Sequence, residues 1–154
     1  MRHNDSRAGY SLVEVMIVLA IIGLLLRTAP AAFAPMQARL ASDAAQRHLH
    51  SLHAQARITA VQRGENVFLN VSEKGDSAWI ATETQVLNVV RFQDEGVSLE
   101  VLTEDGNLSL CMTPRGIAEP RCNSFDGISG VYFLRGEETR LDLFLPLGQL
   151  LPIT

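Results

Sequence analysis

The spacing of apolar residues changes twice along this chain. From Tyr10 to Met36 nearly every position is apolar or small, and Glu14 and Arg27 carry the only charges. Beyond Pro35, Leu49, Leu52, Ala56 and Ala60 recur at intervals of three and four, which places them on one face of a helix. Ala41, Ala44 and Ala45 are strong helix formers, and Gly64 after Arg63 suits a C-cap. Ser11 to Arg63 therefore reads as one helical rod of roughly 80 Å at 1.5 Å rise per residue. Pro30 and Pro35 should bend or loosen it, because each removes a backbone donor.

After Gly64 the period is two. Asn66–Ser72 alternates, with Val67, Leu69 and Val71 on one face, and Ser77–Thr82 returns after the Glu73-Lys74-Gly75-Asp76 turn. Val86–Phe92 and Val97–Thr103 follow, separated at Gly96. Asp105-Gly106 is strong hairpin chemistry, so Asn107–Met112 is expected to pair back on Val97–Thr103. A looser stretch reaches Asp126, and then come Val131–Leu134, Leu141–Leu145 and a last strand from Gln149. Trp79 and Phe92 read as core. The predicted class is α+β: a long N-terminal helix, then a β-rich head of two sheets or a sandwich. The divisions are a leader over 1–9, an apolar helix over 10–36, a second half of the helix over 37–64 and the head over 65–154.

Charge adds a polarity to this picture. Residues 10–63 hold five Arg against Glu14 and Asp43, whereas 64–154 hold 6 basic and 14 acidic groups. A head that acidic repels phosphate backbones, so nucleic acid is not an expected partner. The segment 10–36 is long enough to span a bilayer, which takes about 20 apolar residues. Arg27 lies near one end, where it can snorkel, and Arg2 and Arg7 at the other end should stay cytoplasmic. Glu14 is the anomaly: an acid at the centre of a bilayer costs about 2.5–3.5 kcal/mol on insertion scales. A cut between Gly9 and Tyr10 would create an amine four residues before Glu14, a partner within the chain or in a neighbouring one. An ordinary secretory signal cut after Ala32-Phe33-Ala34 competes, but it would leave Glu14 inside its apolar core and Pro35 just past the cut. A plain uncleaved anchor also leaves Glu14 unpartnered.

The block from Gly9 to Leu26 resembles the class III signal of type IV pilins and type II secretion pseudopilins. In that family a prepilin peptidase cuts after the Gly, the next residue is N-methylated, and a Glu at the fifth mature position guides docking. Gly9, Tyr10 and Glu14 occupy those positions, with Tyr10 replacing the usual Phe. The later segments Thr113-Pro114-Arg115-Gly116 and Leu145-Pro146-Leu147-Gly148 resemble the GspH/FimT group of minor pilins and pseudopilins. The resemblance implies a non-enzymatic structural subunit, most like the H-type minor pseudopilin of type II secretion, with a FimT- or FimU-like minor pilin as the alternative. It also implies an inner-membrane location with a periplasmic head. The implied partners are major and minor pseudopilins, the prepilin peptidase and an inner-membrane assembly platform, with no cofactor and no small-molecule substrate.

Candidate chemistry in the remainder is sparse. Cys111 and Cys122 are the only cysteines, and in a periplasmic domain such a pair reads as a disulfide, with two buried free thiols the alternative. No His lies near either to activate a thiol. His48, His50 and His53 cluster on the second half of the helix, and His50 and His53 share a face. Without a further ligand nearby they suit a solvated or interface face better than a metal, and no metal is expected. Asp105-Gly106-Asn107 lacks the other ligands of a calcium loop. Hydrolase, zinc-protease and phosphate-loop motifs are absent. The acids of the head read as solvated charge.

Overall fold

The computed structural model describes residues 11–103 and 106–153, with side chains throughout except at 28–32. Helix α1 runs Leu12–Arg63 and ends where the Gly64 N–H bonds the Ala60 carbonyl at 3.0 Å. Gly64 sits at φ 69°, the left-handed cap conformation that its position predicts. Helical structure continues through both proline positions. The chain divides into two compact units, Met1–Met36 and Gln37–Thr154.

In the first unit the apolar side chains have no core to enter. Every large hydrophobic residue from Leu12 to Leu26 is exposed, and Ile22, the least exposed, still shows 45% of its surface. Among the described residues no helix is long and apolar enough to cross a membrane.

Among the described residues the second unit has eight strands: β1 Val67–Val71, β2 Ser77–Ala81, β3 Val86–Arg91, β4 Ser98–Val101, β5 Leu108–Met112, β6 Ser129–Arg135, β7 Glu138–Phe144 and β8 Leu150–Ile153. They form two four-stranded sheets, ordered β3-β2-β1-β5 and β4-β6-β7-β8, with every pairing antiparallel. Alternation sends Val67, Leu69 and Val71 of β1 inward, level with Met112, Leu110 and Leu108 of β5. Phe133 and Val131 of β6 and Phe144 of β7 line the other sheet's inner face, and Ala45, Leu49, Leu52, Ala56 and Ala60 of α1 complete the core.

Two expectations from the sequence need correction here. Asn107–Met112 does not pair back on the strand before it: β4 joins β6, while β5 crosses to β1. The inward leucines Leu108 and Leu110 find their burial beside β1, and that long-range packing outweighs the local turn signal, of which Glu104 and Asp105 lie outside the described residues. Trp79 is not core either. It lies in the outward phase of β2, half-buried, while its neighbours Ala78 and Ile80 are fully buried; Phe92 is buried as expected.

The turn between β1 and β2 tucks under β4. The Leu99 N–H bonds the Gly75 carbonyl at 2.8 Å. A Cβ on Gly75 would stand 1.7 Å from the Leu99 carbonyl oxygen, so only glycine fits.

Candidate assembly site and the seat of the helix

Of the residues singled out at the N-terminus, Gly9 and Tyr10 lie outside the described residues. Glu14 lies in the first turn of α1 and is exposed. A carboxylate there is favoured by the partial positive charge of the helix N-terminus. It borders a shallow groove with Val15, Val18 and Leu19, and a second, wholly apolar groove follows along Ile17, Ala20, Ile21, Leu24 and Leu25. One acid heading a continuous apolar stripe can perform a specific task. Between two such stripes apolar contact alone would choose no register, whereas an unpaired carboxylate would penalise every register that left it so.

The second half of α1 is held by a ladder of polar contacts. Arg39 Nε lies 3.6 Å from Glu138, Arg140 Nη1 2.6 Å from Asp43, and Gln46 Nε2 donates to Asp142 Oδ1 at 2.6 Å. His50 Nε2 meets Asp142 Oδ2 at 2.9 Å, and the His53 ring packs edge-on to Phe144. Helix and strand thus step together from Glu138 to Phe144. Two strand residues advance about 6.6 Å and four helix residues about 6 Å, so alternate side chains of β7 keep pace with successive helical turns.

Asp142 is the centre of this ladder and is fully buried. Its burial corrects the expectation that the acids of the head are solvated charge. Asp142 shares the inward phase of β7 with Phe144, a signal present in the alternation of the strand. Burial raises its pKa, opposed by the Gln46 hydrogen bond and by the charge and hydrogen bond of His50. His53 donates from Nε2 to the Gly148 carbonyl at 2.8 Å. Burial lowers its pKa, the Gly148 bond works against that, and the nearby His50 and Arg57 lower it further. His48 Nδ1 lies 3.3 Å from Glu95 Oε1. The three histidines therefore face groups of the head distant in sequence, as the interface alternative expects, and His48 stays half exposed. Among the described residues no group of three or more metal-ligating side chains comes together.

The two Pro-x-Gly segments meet at the end of this seat. Each closes a turn, Gly116 N–H to the Thr113 carbonyl at 2.9 Å and Gly148 N–H to the Leu145 carbonyl at 2.8 Å. The Ala118 N–H bonds the Leu147 carbonyl at 3.1 Å, and a Cβ on Gly148 would stand 2.8 Å from the Ala118 Cβ. Gly116 faces Val61 and Arg57 of α1. Motifs some thirty residues apart thus build one junction, by which His53 is anchored.

Beside it, Cys111 of β5 and Cys122 are joined by a disulfide with Cα atoms 5.7 Å apart. Cys111 also accepts the Glu119 N–H through its carbonyl and donates its own N–H to Asn123 Oδ1. The bridge holds the irregular segment 113–128 against an edge strand.

The chain matches the model of the prokaryotic N-terminal methylation motif over residues 4–26. No curated protein matches it in sequence. Its fold matches two crystal forms of the Pseudomonas aeruginosa type IV minor pilin FimU. The first has TM-score 0.58 at 12% identity, covering 79% of this chain and 92% of FimU. The second has TM-score 0.55 at 12% identity, covering 75% and 92%. The chain thus combines the N-terminal methylation motif of type IV pilin-like proteins with a pilin-like α+β fold.

Proposed function

We propose that this chain is a minor subunit of a type IV pilin-like filament. The supporting observation is the combination of an exposed apolar helix headed by Glu14 with an independently packed head. In this reading a prepilin peptidase cuts after Gly9, and Tyr10 becomes the methylated N-terminus. Residues 10–36 hold the protein in the inner membrane before assembly, with the head in the periplasm. On extraction into the filament by the assembly platform, the stripe Val13–Leu26 packs among the helices of neighbouring subunits, and Glu14 pairs with the Tyr10 amine of one of them. No step requires a cofactor or a substrate. In the oxidising periplasm, Cys111–Cys122 persists as a structural bridge.

The likeness to FimU favours a pilus as the machine, where a minor subunit primes assembly for motility or DNA uptake. The second reading is an H-type pseudopilin driving export of folded proteins, supported by the junction of the two Pro-x-Gly turns. Nucleic acid suits neither version of this head, whose residues 64–154 carry a net charge of −8.

Glu14→Ala tests the reading. The variant should reach the membrane and keep its head folded, yet be lost from sheared filaments. Wild-type levels of incorporation would refute the role of Glu14. Crosslinking to the major pilin, or instead to the major pseudopilin, decides the machine.

A further inference from the structure

The outer face of the β3-β2-β1-β5 sheet carries a cross-strand row unlike any other surface of the head. Register aligns Val89, Trp79, Asn70 and Ser109 side by side, and Ser77 lies next to Trp79's row beside Ser72. Of these, Asn70, Ser72, Ser77 and Trp79 line, with the β1–β2 turn and Asn107, a depression of about 500 Å³. That volume lies within the range of small-ligand sites, about 300–1,000 Å³.

Three features define its chemistry. Trp79 has Val89 on one side, but toward the depression its ring is flanked by Asn70, Ser77 and Asp76. Among the described residues the Trp79 indole N–H and the side-chain amides of Asn70 and Asn107 have no hydrogen-bond partner, although the Asn107 carbonyl is used. The charges at the rim are of both signs, Lys74 against Glu73 and Asp76. Ser77 Oγ donates to Asp76 Oδ1 at 2.8 Å, and this bond, with Ser72 next, holds the Asp76 carboxyl below its ordinary pKa. An ionised Asp76 disfavours an anionic ligand. A protein partner would be expected to meet a ring of apolar side chains around the tryptophan, whereas the depression beside this ring is edged by amides, hydroxyls and charges.

We propose that this depression binds a short neutral glycan, with a pyranose ring stacked on Trp79 and its hydroxyls bonded by Asn70, Ser77 and Asn107. A sugar has an apolar C–H face and a rim of hydroxyls that both donate and accept. That pattern complements an aromatic platform edged by amides. The site lies wholly within Gln37–Thr154 and stands independently of the filament reading.

Trp79 is the only tryptophan of the chain, so its fluorescence reports the site directly. Full-length protein in a detergent without a sugar headgroup is titrated with maltotetraose, cellotetraose and, as an acidic control, trigalacturonate. The expected result is a saturable emission change in the millimolar range with a neutral tetrasaccharide and none with trigalacturonate. Asn70→Ala, an outward position that leaves the fold intact, should weaken it about tenfold, the effect of a lost hydrogen bond of about 1.4 kcal/mol. An unchanged thermal melt confirms that the variant is folded. No saturable change with either neutral probe overturns the proposal. So does a change that Asn70→Ala leaves untouched, or a Trp79 response only to an added filament subunit, which would make the row a protein interface.

Discussion

The two units put similar apolar residues to opposite uses. In Met1–Met36 the leucines, isoleucines and valines of α1 lie on the surface, whereas in Gln37–Thr154 Leu49, Leu52, Leu69, Ile80, Leu108 and Leu110 are enclosed in a core. The second unit has a core of its own, whereas the described part of the first has none. A chain built this way keeps its folding separate from its assembly, so substitutions in the two regions should read out in different assays.

The largest effect should come from paired truncations. Phe133→Ala in the head should cost about 3–5 kcal/mol, since Phe133 is fully buried. Leu24→Ala, at a residue 74% exposed, should leave the melting of the head unchanged and lower only filament incorporation. Urea unfolding followed by far-UV circular dichroism checks the first, and pelleting of sheared filaments the second. Equal destabilisation by both would remove the distinction between the units.

Next in size is the bridge of the head. Replacing Cys111 and Cys122 by serine should cost about 2–3 kcal/mol in the loop-entropy model. Loss should fall on the segment 113–128 first, visible as faster amide exchange there than in β6.

Much of this architecture was legible in the alternation of the chain. The helix end at Gly64 and the spans of the strands follow from period and caps, because those signals act locally. The strand partners did not follow. Asp105-Gly106 spoke for a hairpin, but burial of Leu108 and Leu110 beside β1 decided the sheet, and that contact joins residues some forty positions apart. Trp79 was misplaced because size suggested core, while its phase in β2 faces solvent. The sequence left the histidines between a solvated and an interface face, because their partners, Glu95, Asp142 and Gly148, arrive from the head through tertiary packing alone.

The seat of the helix predicts a pH dependence. Because burial holds the His53 pKa below its ordinary 6.5, the unfolded chain takes up that proton first as pH falls. Stability from His53 is complete above about pH 6.5 and declines as pH drops through that value toward the folded pKa. Asp142 acts oppositely. Its raised pKa gives a contribution complete below the unfolded carboxyl value and lost as pH rises through the folded one. His53→Gln keeps a donor for the Gly148 carbonyl and should flatten the decline below about pH 6.5. Urea midpoints across that range test this, and an unchanged slope would remove His53 as its source.

The smallest effect belongs to a partly exposed rung of the ladder. Arg140 and Asp43 are both partly exposed, so Arg140→Ala should cost less than about 1 kcal/mol, and less again in high salt.

The account rests on the N-terminal helix being an assembly element, and the state of its N-terminus tests that most directly. Intact-mass and N-terminal analysis of protein extracted from membranes, with and without prepilin peptidase, should show a mature chain beginning at methylated Tyr10 only when the peptidase is present. A chain beginning at Met1 or at Pro35 under both conditions would mean an ordinary anchor or secretory signal and would contradict the filament reading.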